Sequence, residues 1–256
     1  MAELRLKNVS KRFGGLLAVN NLDLEVPEGK ILSLIGPNGA GKTTVFNMIT
    51  GVYPPTEGNI SYGDNTLNGL RSNRVIAKGI ARTFQNIRLF KSMTVLENVQ
   101  VGMHCRTQSG PVRALLKTAF EKREEKEIVA KSQELLDFMG LIAHQNDYAS
   151  NLAYGEQRRL EIARALATRP EVLLLDEPAA GMNPKESAHM TELILKIREN
   201  GISVLIIEHD MKVMMNLADR IYVLDYGKLI SEGSPEEIRS DPKVIEAYLG
   251  KAHAAC

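Results

Sequence analysis

The sequence predicts an α/β fold: a mainly parallel sheet covered by helices and interrupted by a helical insertion. Three observations predict it. Ile31-Leu32-Ser33-Leu34-Ile35 is a short apolar run followed by a glycine-rich turn, and residues 44–50 then carry helix spacing up to Gly51. Beyond Arg169-Pro170, short apolar runs alternate with helix-type stretches, the rhythm of βα units. Between Lys91 and Ala167 the strand patterns vanish and helix spacing takes over.

The elements follow in order. Residues 4–9 alternate apolar with polar and read as a half-buried strand, and Lys11-Arg12-Phe13-Gly14-Gly15 reads as a loop. Residues 22–26 alternate again, and Pro27-Glu28-Gly29-Lys30 turns the chain into the strand at 31–35. Residues 54–58 form a turn and residues 59–62 a short strand, so the N-terminal quarter is a β layer. Residues 96–103 and 111–140 have helix spacing. The run at 121–127 mixes both charge signs at i,i+4 separation and reads as a solvated face. Leu135, Leu136, Phe138 and Met139 supply the apolar side of that helix, and Gly140 its C-cap. Residues 172–175 are a continuous apolar strand, and 186–200 a helix stopped by Gly201. Residues 202–207 are a second buried strand and 211–217 a short helix. Residues 220–224 and 228–231 form a hairpin across Asp225-Tyr226-Gly227, and 235–239 and 242–249 make a helical tail.

Bulk properties narrow the function. The chain has 256 residues, 44% hydrophobic and 25% charged, an ordinary soluble composition. Lys+Arg 32 against Asp+Glu 31 leaves +1, which argues against binding nucleic acid by bulk charge. Cys105 and Cys256 show no metal or redox spacing and read as free thiols in a reducing compartment. The first residues alternate charge with apolar side chains and do not read as a signal peptide. No apolar run approaches the ~18 residues that span a bilayer. His104, His144, His189 and His253 lack ligand spacing and read as structural.

Two stretches carry chemistry. Gly36-Pro37-Asn38-Gly39-Ala40-Gly41-Lys42-Thr43-Thr44 fits G-x-x-x-x-G-K-[ST] with a strand before and a helix after. Its backbone N–H groups can wrap a triphosphate, Lys42 can reach the terminal phosphates, and the Thr43 hydroxyl can ligate Mg²⁺. Val172-Leu173-Leu174-Leu175-Asp176-Glu177 ends an apolar strand in two carboxylates, at the strand end where ligands bind in open α/β sheets. Asp176 can hold Mg²⁺, and Glu177 can orient an attacking water.

Asn151-Leu152-Ala153-Tyr154-Gly155-Glu156-Gln157, followed by a helix, resembles the signature motif of the ATP-binding cassette family, usually Leu-Ser-Gly-Gly-Gln. The resemblance covers the whole chain, with six motifs in order. It implies a P-loop NTPase fold with a RecA-like core, an N-terminal antiparallel β subdomain and a helical insertion. Residues 1–90 and 168–235 would form the nucleotide-binding core, 91–167 the helical subdomain and 236–256 a short helical tail of one domain spanning 1–256. It also implies that Gln85 contacts the metal and γ-phosphate, that His209 senses the γ-phosphate, and that Phe13 stacks on adenine. Leu152, Ala153, Tyr154, Gly155, Glu156 and Gln157 would act on the nucleotide of a second subunit, since in this family the signature helix does not reach the phosphate loop of its own chain. Ala153 stands where serine is usual, Tyr154 where the first glycine is, Glu156 where the final glutamine is, and Asn183 where aspartate is usual.

The runs around residues 152–164, 177–186 and 241–250 resemble one ATPase subunit of bacterial importers for branched-chain amino acids. That resemblance implies ATP and Mg²⁺ as ligands, and ATP hydrolysis that drives transport. Its partners would be a second cassette subunit, integral membrane permeases and, indirectly, a periplasmic or extracellular substrate-binding protein, with no nucleic acid. The location would be peripheral, on the cytoplasmic face of the bacterial inner membrane. Leu89 and Phe90 would be apolar anchors toward the permeases. No side-chain chemistry in the sequence marks an amino-acid pocket, so the solute comes from the resemblance alone. Urea or amide importers and lipopolysaccharide-export ATPases are the near alternatives. Soluble cassette ATPases are more distant, since the helical insertion is too short for a long coiled coil and the chain has one cassette. An Asn-Lys-x-Asp guanine-reading motif is absent from the sequence.

Overall fold

The computed structural model describes residues 3–103, 119–208 and 210–249. The chain falls into two compact units, Met1–Arg82 with Glu171–Cys256, and Thr83–Pro170.

The first unit holds two sheets. β1 (Leu4–Phe13), β2 (Leu16–Val26), β4 (Glu57–Tyr62) and β5 (Asn65–Thr66) form an antiparallel sheet in the order β2-β1-β4-β5. The expected loop at 11–15 is a correction: β1 runs on to Phe13, which pairs with Leu16, and only Gly14 and Gly15 turn. The cross-strand ladder imposes extended backbone on Lys11, Arg12 and Phe13, which show no alternation of their own. The second sheet contains β3 (Ile31–Ile35), β6 (Ile80–Arg82), β7 (Val172–Asp176), β8 (Ser203–Ile207), β9 (Arg220–Asp225) and β10 (Lys228–Gly233), in the order β10-β9-β3-β8-β7-β6. All neighbours run parallel except β9 and β10.

β3, β7 and β8 are buried at every position. They are covered on both faces, which is why they read as unbroken apolar runs. Alternate residues feed two cores. Leu32, Leu34, Tyr222 and Leu224 join Leu4, Leu6 and Phe46 of α1 (Lys42–Ile49), whereas Ile35, Ile221 and Val223 join Met214, Ile238 and Val244. α1 begins two residues before the helix read from the sequence. Helix α2 (Ser72–Ala77) and strand β6 had no sequence expectation. α2 buries Val75, and β6 is three residues long.

The second unit packs α3 (Val95–Met103) against α4 (Ala119–Phe138) and α5 (Tyr154–Ala167). Val95, Val99, Leu136, Met139, Leu141, Leu160 and Ala163 are buried in it. The charged run is exposed at Arg123, Glu125, Lys126 and Glu127, as a solvated face requires. His104, Cys105, His209, His253 and Cys256 lie outside the described residues. His144 pairs with Asp147 at 2.8 Å on the surface of this unit. In the first unit, α6 (Pro184–Glu199), α7 (Met211–Leu217), α8 (Pro235–Ser240) and α9 (Pro242–Leu249) complete the fold.

Candidate functional site

The turn between β3 and α1 is built by backbone on backbone. Gly36 has φ +149°, and a Cβ there would lie 2.0 Å from the carbonyl oxygen of Leu224 at the end of β9. Gly41 has φ +103°, and a Cβ there would lie 2.6 Å from the Ala18 carbonyl oxygen. Only glycine fits either place. Ala40 N–H donates to the Pro37 carbonyl at 3.2 Å, and Gly227 N–H donates to the Ala40 carbonyl at 3.0 Å. Gly41 sits at the N-cap of α1 with no side-chain cap. The amides of Lys42, Thr43 and Thr44 are therefore first-turn donors at the positive end of a helix, which suits an anion. Asn38 and Gly39 are exposed at the crest of the turn.

Lys42 lies folded back into this turn. It is 7% exposed, and Nζ donates to the carbonyl oxygens of Gly36 at 2.6 Å and Pro37 at 2.9 Å. Burial pulls its pKa below the usual lysine range, and the carboxylates of Glu177 and then Asp176 pull the other way. Lys42, Glu177 and Asp176 thus share one electrostatic environment.

Asp176 closes β7 opposite Ile207 of β8, and its side chain is 3% exposed. Arg82, at the end of β6, donates from Nη2 to Asp176 Oδ2 at 2.8 Å. Glu177 leaves the strand with φ +50°, its N–H donating to the Ile207 carbonyl at 2.8 Å. A left-handed backbone at a non-glycine residue costs about 1–3 kcal/mol, and such strain concentrates at functional sites. A cleft of about 490 Å³ opens beside Glu177, lined among others by Gly181, Ser187 and Asp210. Buried Glu208 accepts the Ala179 N–H at 2.8 Å and ties the segment after Glu177 to the end of β8. Asn183 Oδ1 caps α6 by accepting from Lys185 and Glu186 N–H at 3.0 Å, and Glu186 Oε2 accepts the Asn183 N–H at 3.0 Å, a role that aspartate would fill equally well.

Phe13 is 44% exposed at the hairpin tip and meets the Tyr53 ring edge-on at 5.2 Å. Lys11 Nζ lies 5.1 Å from the Phe13 ring centre and 4.8 Å from that of Tyr53. Tyr53 and Lys11 were not singled out in the sequence. Neither has a motif, and Tyr53 meets Phe13 only through the fold.

Gln85 and the signature residues belong to the second unit. Leu152 is buried, and Ala153 N-caps α5 with φ −62° and ψ 157°. Glu156 Oε2 accepts the Ala153 N–H at 3.0 Å, but the alanine methyl cannot return a bond to the helix, so half of a capping box is present. Gln157 Nε2 donates to the Leu152 carbonyl at 2.9 Å. Tyr154 is 48% exposed and Gly155 is buried. Arg158, 1% exposed, donates to the carbonyls of Phe84 and Gln85, each at 2.6 Å, and to Glu161 Oε2 at 3.1 Å. Glu161 in turn accepts the Arg88 N–H. The signature helix therefore holds the Gln85 segment by its backbone. Phe90 is exposed with the Arg164 guanidinium 5.4 Å from its ring centre, while Leu89 is half-buried.

Among the described residues no group of three or more His, Cys, Asp or Glu side chains is disposed to hold a metal ion. Asp176 and the exposed Thr43 are hard oxygen donors. They suit Mg²⁺, which takes one or two protein ligands and completes its shell with phosphate and water.

A family described as "ABC transporter" matches residues 19–180, and one described as "Branched-chain amino acid ATP-binding cassette transporter" matches residues 228–254. The "High-affinity branched-chain amino acid transport ATP-binding protein LivG" of Salmonella typhimurium is 52% identical over 250 residues, 97% of this chain and 98% of that protein. The crystal structure of the ADP conformation of an ATP-binding cassette of an ABC transporter superposes with a TM-score of 0.86 at 35% identity, covering 98% of this chain and all of that one. A dimeric, post-hydrolysis cassette bound to ADP and phosphate gives a TM-score of 0.77 at 28% identity, covering 91% and 98%.

Proposed function

The chain belongs to the ABC transporter family of ATP-binding cassettes, and from that membership we propose that it is the ATP-hydrolysing subunit of an importer for branched-chain or related amino acids. The observation that carries the ATPase reading is the glycine turn after β3, with Lys42 folded into it, in the same unit as the Asp176-Glu177 pair that ends β7. The solute comes from the name of the LivG relative and from the match at 228–254.

ATP docks its phosphates on the first-turn amides of α1. Lys42 exchanges the carbonyls of Gly36 and Pro37 for phosphate oxygens, and buried surroundings strengthen that contact. Phe13 stacks on the adenine. Thr43 and Asp176 would hold Mg²⁺, which would neutralise charge on the phosphates, and the family resemblance adds Gln85 as a ligand. Glu177 orients the attacking water for in-line displacement, with Gln85 and His209 as γ-phosphate contacts. Residues 152–157 serve the nucleotide of a second cassette subunit. Integral permeases and an extracytoplasmic binding protein complete the assembly, at the cytoplasmic face of the bacterial inner membrane. Among the described residues no helix is long and apolar enough to cross a membrane.

The test is ATP binding and turnover by Lys42→Ala. The expected result is loss of both; near-normal turnover would remove the site assignment.

A further inference from the structure

We infer that Arg82 is a positioning residue for the Asp176 carboxylate, and through it for the divalent cation that accompanies the nucleotide. The inference rests on the reading of Asp176 as a metal ligand.

β6 is a three-residue strand at the sheet edge, in parallel register with β7 from Ile80 opposite Val172 to Arg82 opposite Leu174. Asp176 lies two residues farther along β7, within reach of an arginine leaning forward from Arg82. Nη2 meets Asp176 Oδ2 at 2.8 Å, with the two side chains 5% and 3% exposed. The second nitrogen, Nη1, donates to Asn47 Oδ1 at 2.6 Å and lies 3.5 Å from Thr50 Oγ1. Both partners are set by α1, Asn47 within it and Thr50 at its C-cap. The guanidinium centre also lies 5.3 Å from the ring centre of Phe46 on the same helix. Arg82 is thereby gripped from two elements, and it bridges the end of β7 to the helix that starts at Lys42.

The bridge has a chemical consequence. Asp176 and Glu177 are adjacent carboxylates at one strand end, and a buried carboxylate needs a counter-charge. The planar guanidinium supplies a fixed positive charge with directional donors, which sets the orientation of the carboxylate as well as its charge balance. A carboxylate donor held this way meets a cation without first reorganising, and partners of this kind tune metal affinity about 10–100-fold. The opposing effect is repulsion between the guanidinium and the cation. Because Nη1 is anchored on Asn47, the charge stays on the Oδ2 side, and orientation outweighs repulsion.

The experiment measures the affinity of the full-length protein for a fluorescent ATP analogue across a Mg²⁺ titration and in EDTA. It uses wild type, Arg82→Gln, Arg82→Lys and Asp176→Asn, with thermal denaturation as the check on folding. Arg82→Gln is expected to leave the EDTA affinity within about twofold and to raise the Mg²⁺ midpoint roughly tenfold, with Arg82→Lys between it and wild type. An unchanged or lowered Mg²⁺ midpoint in Arg82→Gln overturns the inference. So does an equal loss of affinity in EDTA, which would mark a merely structural pair. If Asp176→Asn keeps the wild-type Mg²⁺ dependence, the metal assignment of Asp176 itself fails. Should Arg82→Gln not fold, Arg82→Lys and Asn47→Ala, which releases the other end of the guanidinium, decide by the same midpoint.

Discussion

The role proposed for Phe13 depends on its surroundings. Phe13 sits at a two-residue turn, half exposed, in a T-shaped pair with Tyr53 and with the Lys11 ammonium near both rings. The residue is 44% exposed, and stacking of one base on an aromatic side chain is worth about 1–3 kcal/mol. Phe13→Ala is therefore expected to weaken ATP binding roughly 5–100-fold in a direct titration while leaving the melting temperature nearly unchanged. Wild-type affinity in that variant would exclude stacking. The phosphate turn was readable because its Gly and Lys spacing is contiguous in the sequence, whereas the Leu224 and Ala18 carbonyls that exclude a Cβ at Gly36 and Gly41 come together only in the fold. Arg82 was not readable. Its partner Asp176 lies 94 residues away, and a lone arginine after two apolar residues carries no pattern.

At the scale of elements, α5 organises the second unit. Its first turn carries the signature residues, and Arg158 and Glu161 one turn later hold the backbone at Phe84, Gln85 and Arg88. Arg164 adds a hydrogen bond to the Arg88 carbonyl. Removing one partner of a buried ion pair strands the other, at a cost of about 3–5 kcal/mol. Arg158→Ala should lower the unfolding free energy obtained from urea titration by about 3–5 kcal/mol, and a loss under about 1 kcal/mol would mean that Glu161 is otherwise neutralised. The helix itself was legible from its spacing, but this pair was not, because the carbonyls it holds lie 73 and 74 residues earlier. β1 shows the converse limit. Pairing with β2 and β4 extends it through residues whose own pattern reads as a loop. α2 and β6 are too short to show periodicity, and β6 takes its extended form from β7.

At the scale of the molecule, the proposed phosphate, adenine and water-orienting residues lie in one unit, whereas Gln85 and the signature residues lie in the other. Phe13, the turn at 36–44, Asp176 and Glu177 all belong to the first unit, and its sheet order sets β3 and β7 on either side of β8. The fold was legible at this scale because the buried parallel strands are unbroken apolar runs. The solute was not, since among the described residues nothing marks an amino-acid pocket. Under the proposed function the chain hydrolyses ATP through Glu177 and joins a second cassette to do so. The direct test is Glu177→Gln, which keeps the shape of the side chain and removes the carboxylate that orients water. With ATP and Mg²⁺ present, bound nucleotide, phosphate release and particle mass are measured on one sample. The expected result is ATP retained unhydrolysed, turnover reduced by about 10²–10⁴-fold and a particle of doubled mass. A monomer that turns over ATP at the wild-type rate would contradict it.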